Sequence, residues 1–92
     1  MDLEARIIAA SEECDLIRAS GGPDDALLAD APTLDPYEFE QISAFRIFRG
    51  IVRGHPQLHD GDQISTTLVI AVDPHLRWAR TLTGWYRLRH PK

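Results

Sequence analysis

The spacing of apolar residues changes character once along this chain, and that change restricts the fold more than any motif does. From Asp2 to Ser20, Leu3, Ile7, Ala10, Cys14 and Ile17 recur in steps of four and three. Such spacing puts them on one stripe of a helix, which Ile8 and Leu16 widen. Gly21-Gly22-Pro23 then supplies a left-handed cap and a residue that cannot continue the helix. From Ile42 onward aromatic and β-branched residues take over in Phe45, Ile47, Phe48, Ile51 and Val52. Farther along, Ile64, Thr66, Leu68, Ile70 and Val72 alternate with the period of a strand. A helical block followed by a block of strands predicts an α+β fold.

The expected layout is a single domain over residues 1–92: a helix at 2–20, an acidic link at 21–41 and an antiparallel meander at 42–90. Within the link, DDALLADA (24–31) carries a short helical turn capped by Asp24 or Asp25, and Pro32 and Pro36 bracket an irregular stretch. Turns at His55-Pro56, Asp60-Gly61 and Asp73-Pro74 separate three strands, the last bent near Gly84. The helix is the one element long enough to cover the apolar face of a three-stranded sheet, giving the order αβββ. Its stripe spans about two and a half heptads, too short for a coiled coil. A chain this small buries roughly two-thirds of its extended surface, which allows a modest core and no deep lidded pocket.

No apolar run approaches a membrane span, and the early acids of MDLEARIIAASEE do not fit a secretory leader. The lone cysteine, Cys14, has no internal disulfide partner, and a cytoplasmic location is the expectation.

Charge is divided unevenly. Residues 1–42 hold eleven acids against Arg6 and Arg18, a net −9, while residues 43–92 hold three acids against seven arginines and Lys92, a net +5. Either the two halves neutralise one another on folding, or a charged face is presented to a partner.

Few residues suit chemistry. His55, His59, Asp60 and Asp62 are the densest group of metal-ligating types, but Pro56 and Gly61 place them in a turn, where polarity has an ordinary explanation. Ser65, Thr66 and Thr67 with His55 and Asp60 supply the types of a hydrolytic triad without nucleophile-elbow glycines. Cys14 lies on the apolar stripe, where packing is its expected role. Phosphate-cradling loops, dinucleotide fingerprints and zinc-ligand spacings are missing. No catalytic residue, metal or cofactor is therefore assigned.

The segment RWARTLTGWYRLR interleaves arginines with Trp78, Trp85 and Tyr86, residue types that stack on single-stranded nucleic acid. Strand alternation turns Trp78, Leu82, Tyr86 and Leu88 inward as core instead. Gly54-His55-Pro56, Asp60-Gly61, Ile64 with Thr66-Thr67, and Trp78-Ala79-Arg80-Thr81-Leu82 running on to Trp85-Tyr86-Arg87-Leu88 resemble a family of small uncharacterised bacterial proteins. That pattern has serine where Thr67 and Thr83 stand, arginine at Gly84 and glycine at Arg89. The resemblance covers roughly the last forty residues, implies a bacterial or phage origin and carries no functional residue across.

In size, acidity and lack of catalytic motifs the chain also resembles phage-encoded inhibitors of bacterial defence, anti-CRISPR proteins among them. The expectation is a non-enzymatic inhibitor whose Glu12, Glu13, Asp15, Asp24 and Asp25 enter the nucleic-acid-binding groove of a larger protein or ribonucleoprotein complex. The alternative is a nucleic-acid-binding sheet face using Arg46, Arg49, Arg77 and Arg87. A homodimer through an exposed sheet edge or face is compatible with either.

Overall fold

The computed structural model describes residues 2–92. Helix α1 spans Leu3–Ala19. The Asp2 carboxylate accepts from the Ala5 amide at 2.7 Å and so caps its start. At its end Gly21 adopts φ +107°, and the Gly22 and Gly21 amides donate to the carbonyls of Ile17 and Arg18 at 2.9 and 3.2 Å. That paired pattern satisfies carbonyls the helix leaves open. Helix α2, Asp25–Ala29, is a single turn whose Leu27 amide donates to the Asp24 carboxylate.

Six strands follow: β1 (Thr33–Ile42), β2 (Phe45–Arg53), β3 (Gln63–Ser65), β4 (Val69–Val72), β5 (Trp78–Thr81) and β6 (Trp85–Leu88). They form one mixed sheet in the order β3-β2-β1-β6-β5-β4, with β1 and β6 parallel. The α+β class agrees with the sequence reading, but the three-stranded αβββ arrangement is corrected to six strands. Each discrepancy has a local cause. Pro36 does not make residues 33–42 an irregular link, because it sits where the β1–β2 register shifts between Leu34 and Tyr37 and no ladder amide is required. The run from Gln63 to Val72 divides at Thr66–Leu68, and the run from Arg77 to Leu88 divides at a tight turn in which the Thr81 amide donates to the Gly84 carbonyl at 2.8 Å.

The order of strands forces the sheet to curl. Strands β3 and β4 are its two edges, yet only Thr66, Thr67 and Leu68 join them. Four Cα steps reach at most about 15 Å, whereas the edges of a flat six-stranded sheet stand about 24 Å apart. The short link is held at both ends. The Thr66 amide donates to the Phe48 carbonyl, the Phe48 amide donates to the Thr66 hydroxyl at 3.0 Å, and the Leu82 amide donates to the Leu68 carbonyl at 2.9 Å. The result is an incomplete barrel.

Its inside is filled by Leu34, Tyr37, Phe48, Val52, Ala79, Tyr86 and Leu88, with Ile64, Val69 and Val72 packed beside them. A second cluster lies outside the sheet, where Cys14 and Ala31 meet Trp78 and Trp85 and are flanked by Ile17, Leu28, Ile70 and Ala71. The two indoles meet edge to face, 5.4 Å between ring centroids. Trp78 therefore packs with α1, not with Tyr86 and Leu88 as continuous alternation predicts, because the turn after Thr81 resets the alternation. No helix among the described residues is long and apolar enough to cross a membrane.

Two substitutions test this construction. Thr66→Val keeps the shape but leaves the buried Phe48 amide without its acceptor, so urea unfolding should show a loss of about 1–3 kcal/mol. Thr66→Ser should lose markedly less. At Gly50 an added Cβ would lie 2.5 Å from the Pro36 carbonyl oxygen and 3.2 Å from the Tyr37 Cα, both backbone. Gly50→Ala should thus cost about 1–3 kcal/mol by overpacking, and unchanged stability would show that β1 can move aside there.

Candidate functional site

The side chains of His55, Asp60 and Asp62 hold turns. The Gly54 amide donates to Asp60, the His59 amide to Asp62 and the Gln57 amide to Nδ1 of His55. No group of three or more metal-ligating side chains is assembled among the described residues. The Thr66 hydroxyl, already an acceptor for the Phe48 amide, donates to the Thr67 carbonyl at 2.8 Å. Cys14 is fully buried, and burial pushes its thiol up, away from the reactive thiolate.

The two charged halves touch. Five of the six ion pairs among the described residues join the first 42 residues to the rest: Glu40–Arg49, Glu13–Arg80, Asp35–Arg89, Asp35–His90 and Glu38–Lys92. Part of the uneven charge is thereby consumed in folding. The clearest case is Arg80, whose side chain is only 11% exposed. Its guanidinium donates to Glu13 at 3.2 Å and lies 5.5 Å from the centre of the Trp85 ring.

This separates the five acidic candidates. Glu13, though 52% exposed, is paired with Arg80, and Asp24 is spent on the first turn of α2. Glu12, Asp15 and Asp25 are exposed and enter none of those ion pairs. Glu12 and Asp15 share the outward face of α1 with Ile8 and Leu16, since steps of three, four and seven fall on one side of a helix. Ile8 is 50% and Leu16 74% exposed, so the apolar residues that were expected to widen the buried stripe instead face solvent. Burial on α1 is confined to a narrow stripe centred on Ala10 and Cys14. The outward face is thus a mixed apolar and acidic strip.

The chain belongs to a family of unknown function. Residues 5–91 match the model of the family of unknown function DUF6634. No curated protein and no solved structure matches the chain. In this DUF6634 member the match reaches well beyond the last forty residues that carried the resemblance and takes in α1 from Ala5.

The four arginines of the alternative nucleic-acid face do not form one surface. Arg46 and Arg49 are three apart on β2 and so point to opposite faces. Arg46 lies 5.7 Å from the centre of the Phe39 ring, while Arg49 is paired with Glu40. Arg77 and Arg87 instead line one shallow cleft with Arg89, Thr33, Leu28 and Leu88. Arg89 and Thr33 were missed in the sequence reading because the parallel pairing of β1 with β6 brings them there. For a homodimer through a sheet edge, the edge strands offer only three and four residues.

Asp73 organises the turn that carries Arg77. Its carboxylate accepts from the His75 and Arg77 amides and from the Arg77 guanidinium, Nε at 2.6 Å. The Arg77 guanidinium holds the Asp73 carboxyl below its usual range; burial opposes this and the two amides assist it. A folded pKa below the unfolded one gives stability that is full above the ordinary carboxylate range and is lost as pH falls through the lower folded value. Asp73→Asn should therefore cost about 1–3 kcal/mol at neutral pH. The gap from the native chain should shrink once pH drops below about 4. Urea midpoints from neutral to strongly acidic pH check this, and a gap that stays constant contradicts it.

Proposed function

We propose that this protein is a non-catalytic binding protein that docks the outward face of α1 into a basic, apolar-floored groove of a larger nucleic-acid-handling protein or complex, in the manner of an inhibitor. One observation carries the reading: Glu12 and Asp15, outside every ion pair described above, flank Ile8 and Leu16, two large apolar side chains exposed on the same helix face. A helix needs no exposed leucine for its own packing, and apolar anchors at helical spacing are what a groove takes up. Carboxylates beside them speed encounter with a basic surface and oppose the nucleic acid that would otherwise occupy it. Glu13 and Asp24 belong to the fold in this reading, while Asp25 stands at the rim.

The test is capture from bacterial lysate by the tagged chain, with and without nuclease. The proposal expects retention of a nucleic-acid-binding protein that survives nuclease and releases its DNA or RNA when the chain is added. Leu16→Ala should weaken that complex at least about tenfold, or about 1.4 kcal/mol. Glu12→Lys with Asp15→Lys should abolish it, with thermal stability little changed. Equal binding by these variants, or retention of nucleic acid alone, would remove α1 as the working surface.

A further inference from the structure

We propose a second, separate site: a phosphate-binding cleft formed by Arg77, Arg87 and Arg89 with the hydroxyl of Thr33. Arg87 and Arg89, on either side of Leu88, and Arg77 from the preceding turn line one depression of about 250 Å³ with Leu28 and Leu88, and no carboxylate lines it. Strand pairing dictates the convergence. Thr33 is registered with Arg87 on one side and with Arg53 on the other. The Arg87 pairing sets that guanidinium beside the Thr33 side chain on the outer face, and Arg53 on the other side does not line the cleft.

The three cations differ in how far the fold already pairs them. Arg87 is exposed and joins none of the ion pairs among the described residues. Arg77 is anchored by Asp73 through Nε at 2.6 Å, yet 71% of its side chain remains exposed. Nη2 also donates to Asp73 at 3.4 Å, which leaves Nη1 to donate outward from a fixed position. Arg89 touches Asp35 only at 3.9 Å, and that carboxylate also serves His90 at 3.1 Å.

The planar forks of guanidinium groups match the tetrahedral oxygens of phosphate, and Arg87 has no carboxylate partner to compete with such a ligand. The cleft is smaller than the roughly 300–1,000 Å³ of a typical small-molecule pocket, so it fits one or two phosphate groups rather than a whole nucleotide. The ligand class is a phosphate ester, contributed either by a small molecule or by a nucleic-acid backbone.

The experiment is a nuclear magnetic resonance titration of the full chain with inorganic pyrophosphate at constant ionic strength, following backbone amides and arginine Nε–H signals. Saturable shifts at Thr33, Arg77, Arg87 and Arg89 are expected. Arg87→Gln should weaken binding about tenfold or more, and Arg46→Gln at the distant hairpin tip should leave it unchanged. A short single-stranded oligodeoxynucleotide forms the second arm. Tighter, steeply salt-dependent binding at the same signals identifies a nucleic-acid backbone as the source. No gain over pyrophosphate identifies a small phosphate ester. Non-saturating shifts shared equally by Arg6, Arg46 and Arg87, or an Arg87→Gln variant that binds as well as the native chain, overturn the proposal.

Discussion

The barrel depends on Thr66 and the two residues after it. A strand order that puts β3 and β4 at opposite edges while joining them by three residues is compatible only with a curled sheet. Thr66 makes that curl stable, because its hydroxyl stands in for a backbone carbonyl as the acceptor of the Phe48 amide. Phe48 is itself fully buried at the centre of the inner cluster and meets both Tyr37 and Phe39. With the sheet closed on itself there, the inside is sealed by its own side chains, and α1 is left to cover the outer flank of β4, β5 and β6. A helix used as an outer cover needs only a narrow buried stripe, which is why Ile8 and Leu16 are left facing water.

Closure also sorts the charges. Folding lays the acidic first half alongside the basic second half, and exposed ion pairs of this kind stabilise little individually. Their effect is selective: a carboxylate already partnered in the fold offers less to an outside cation than one left unpaired. Glu13 and Glu12 are adjacent in sequence, yet Arg80 engages the first and leaves the second free. The same sorting leaves Arg87 free of a carboxylate while Arg49 is paired with Glu40. What remains is an acidic, partly apolar helix face and a cluster of arginines near the other helix.

How much of this could be read from residues alone depends on sequence separation. The helix was legible to within a residue at each end, because its stripe, its Asp2 cap and its Gly-Gly-Pro stop are all local signals. Strand β1 was not, although Tyr37, Phe39, Glu38 and Glu40 alternate inward and outward. The register shift at Asp35-Pro36 interrupts that alternation, and the acids made the stretch look like a link. The outward placement of Glu12 and Asp15 follows from helical spacing. The loss of Glu13 to Arg80 does not, since the partner lies 67 residues away. The arginine cleft was half visible, through Arg77 and Arg87, and its other members depend on a parallel strand pairing that leaves no periodic mark.

That pairing has a kinetic side. Strand β1 can take up β2 at once, through a hairpin that closes over Ser43 and Ala44. Its other flank is filled by β6 and by the segment after it, with the Tyr37 amide donating to the His90 carbonyl and the Lys92 amide to the Tyr37 carbonyl. Those partners are more than fifty residues away. During synthesis, then, β1 emerges with one row of backbone amides and carbonyls unpaired, and it stays so until nearly the whole segment has left the ribosome. High contact order makes such chains slow to fold, and an unpaired strand flank recruits strands from other molecules. Asp35, Glu38 and Glu40 put like charges along that strand, the kind of charge that opposes pairing of an open flank with another chain.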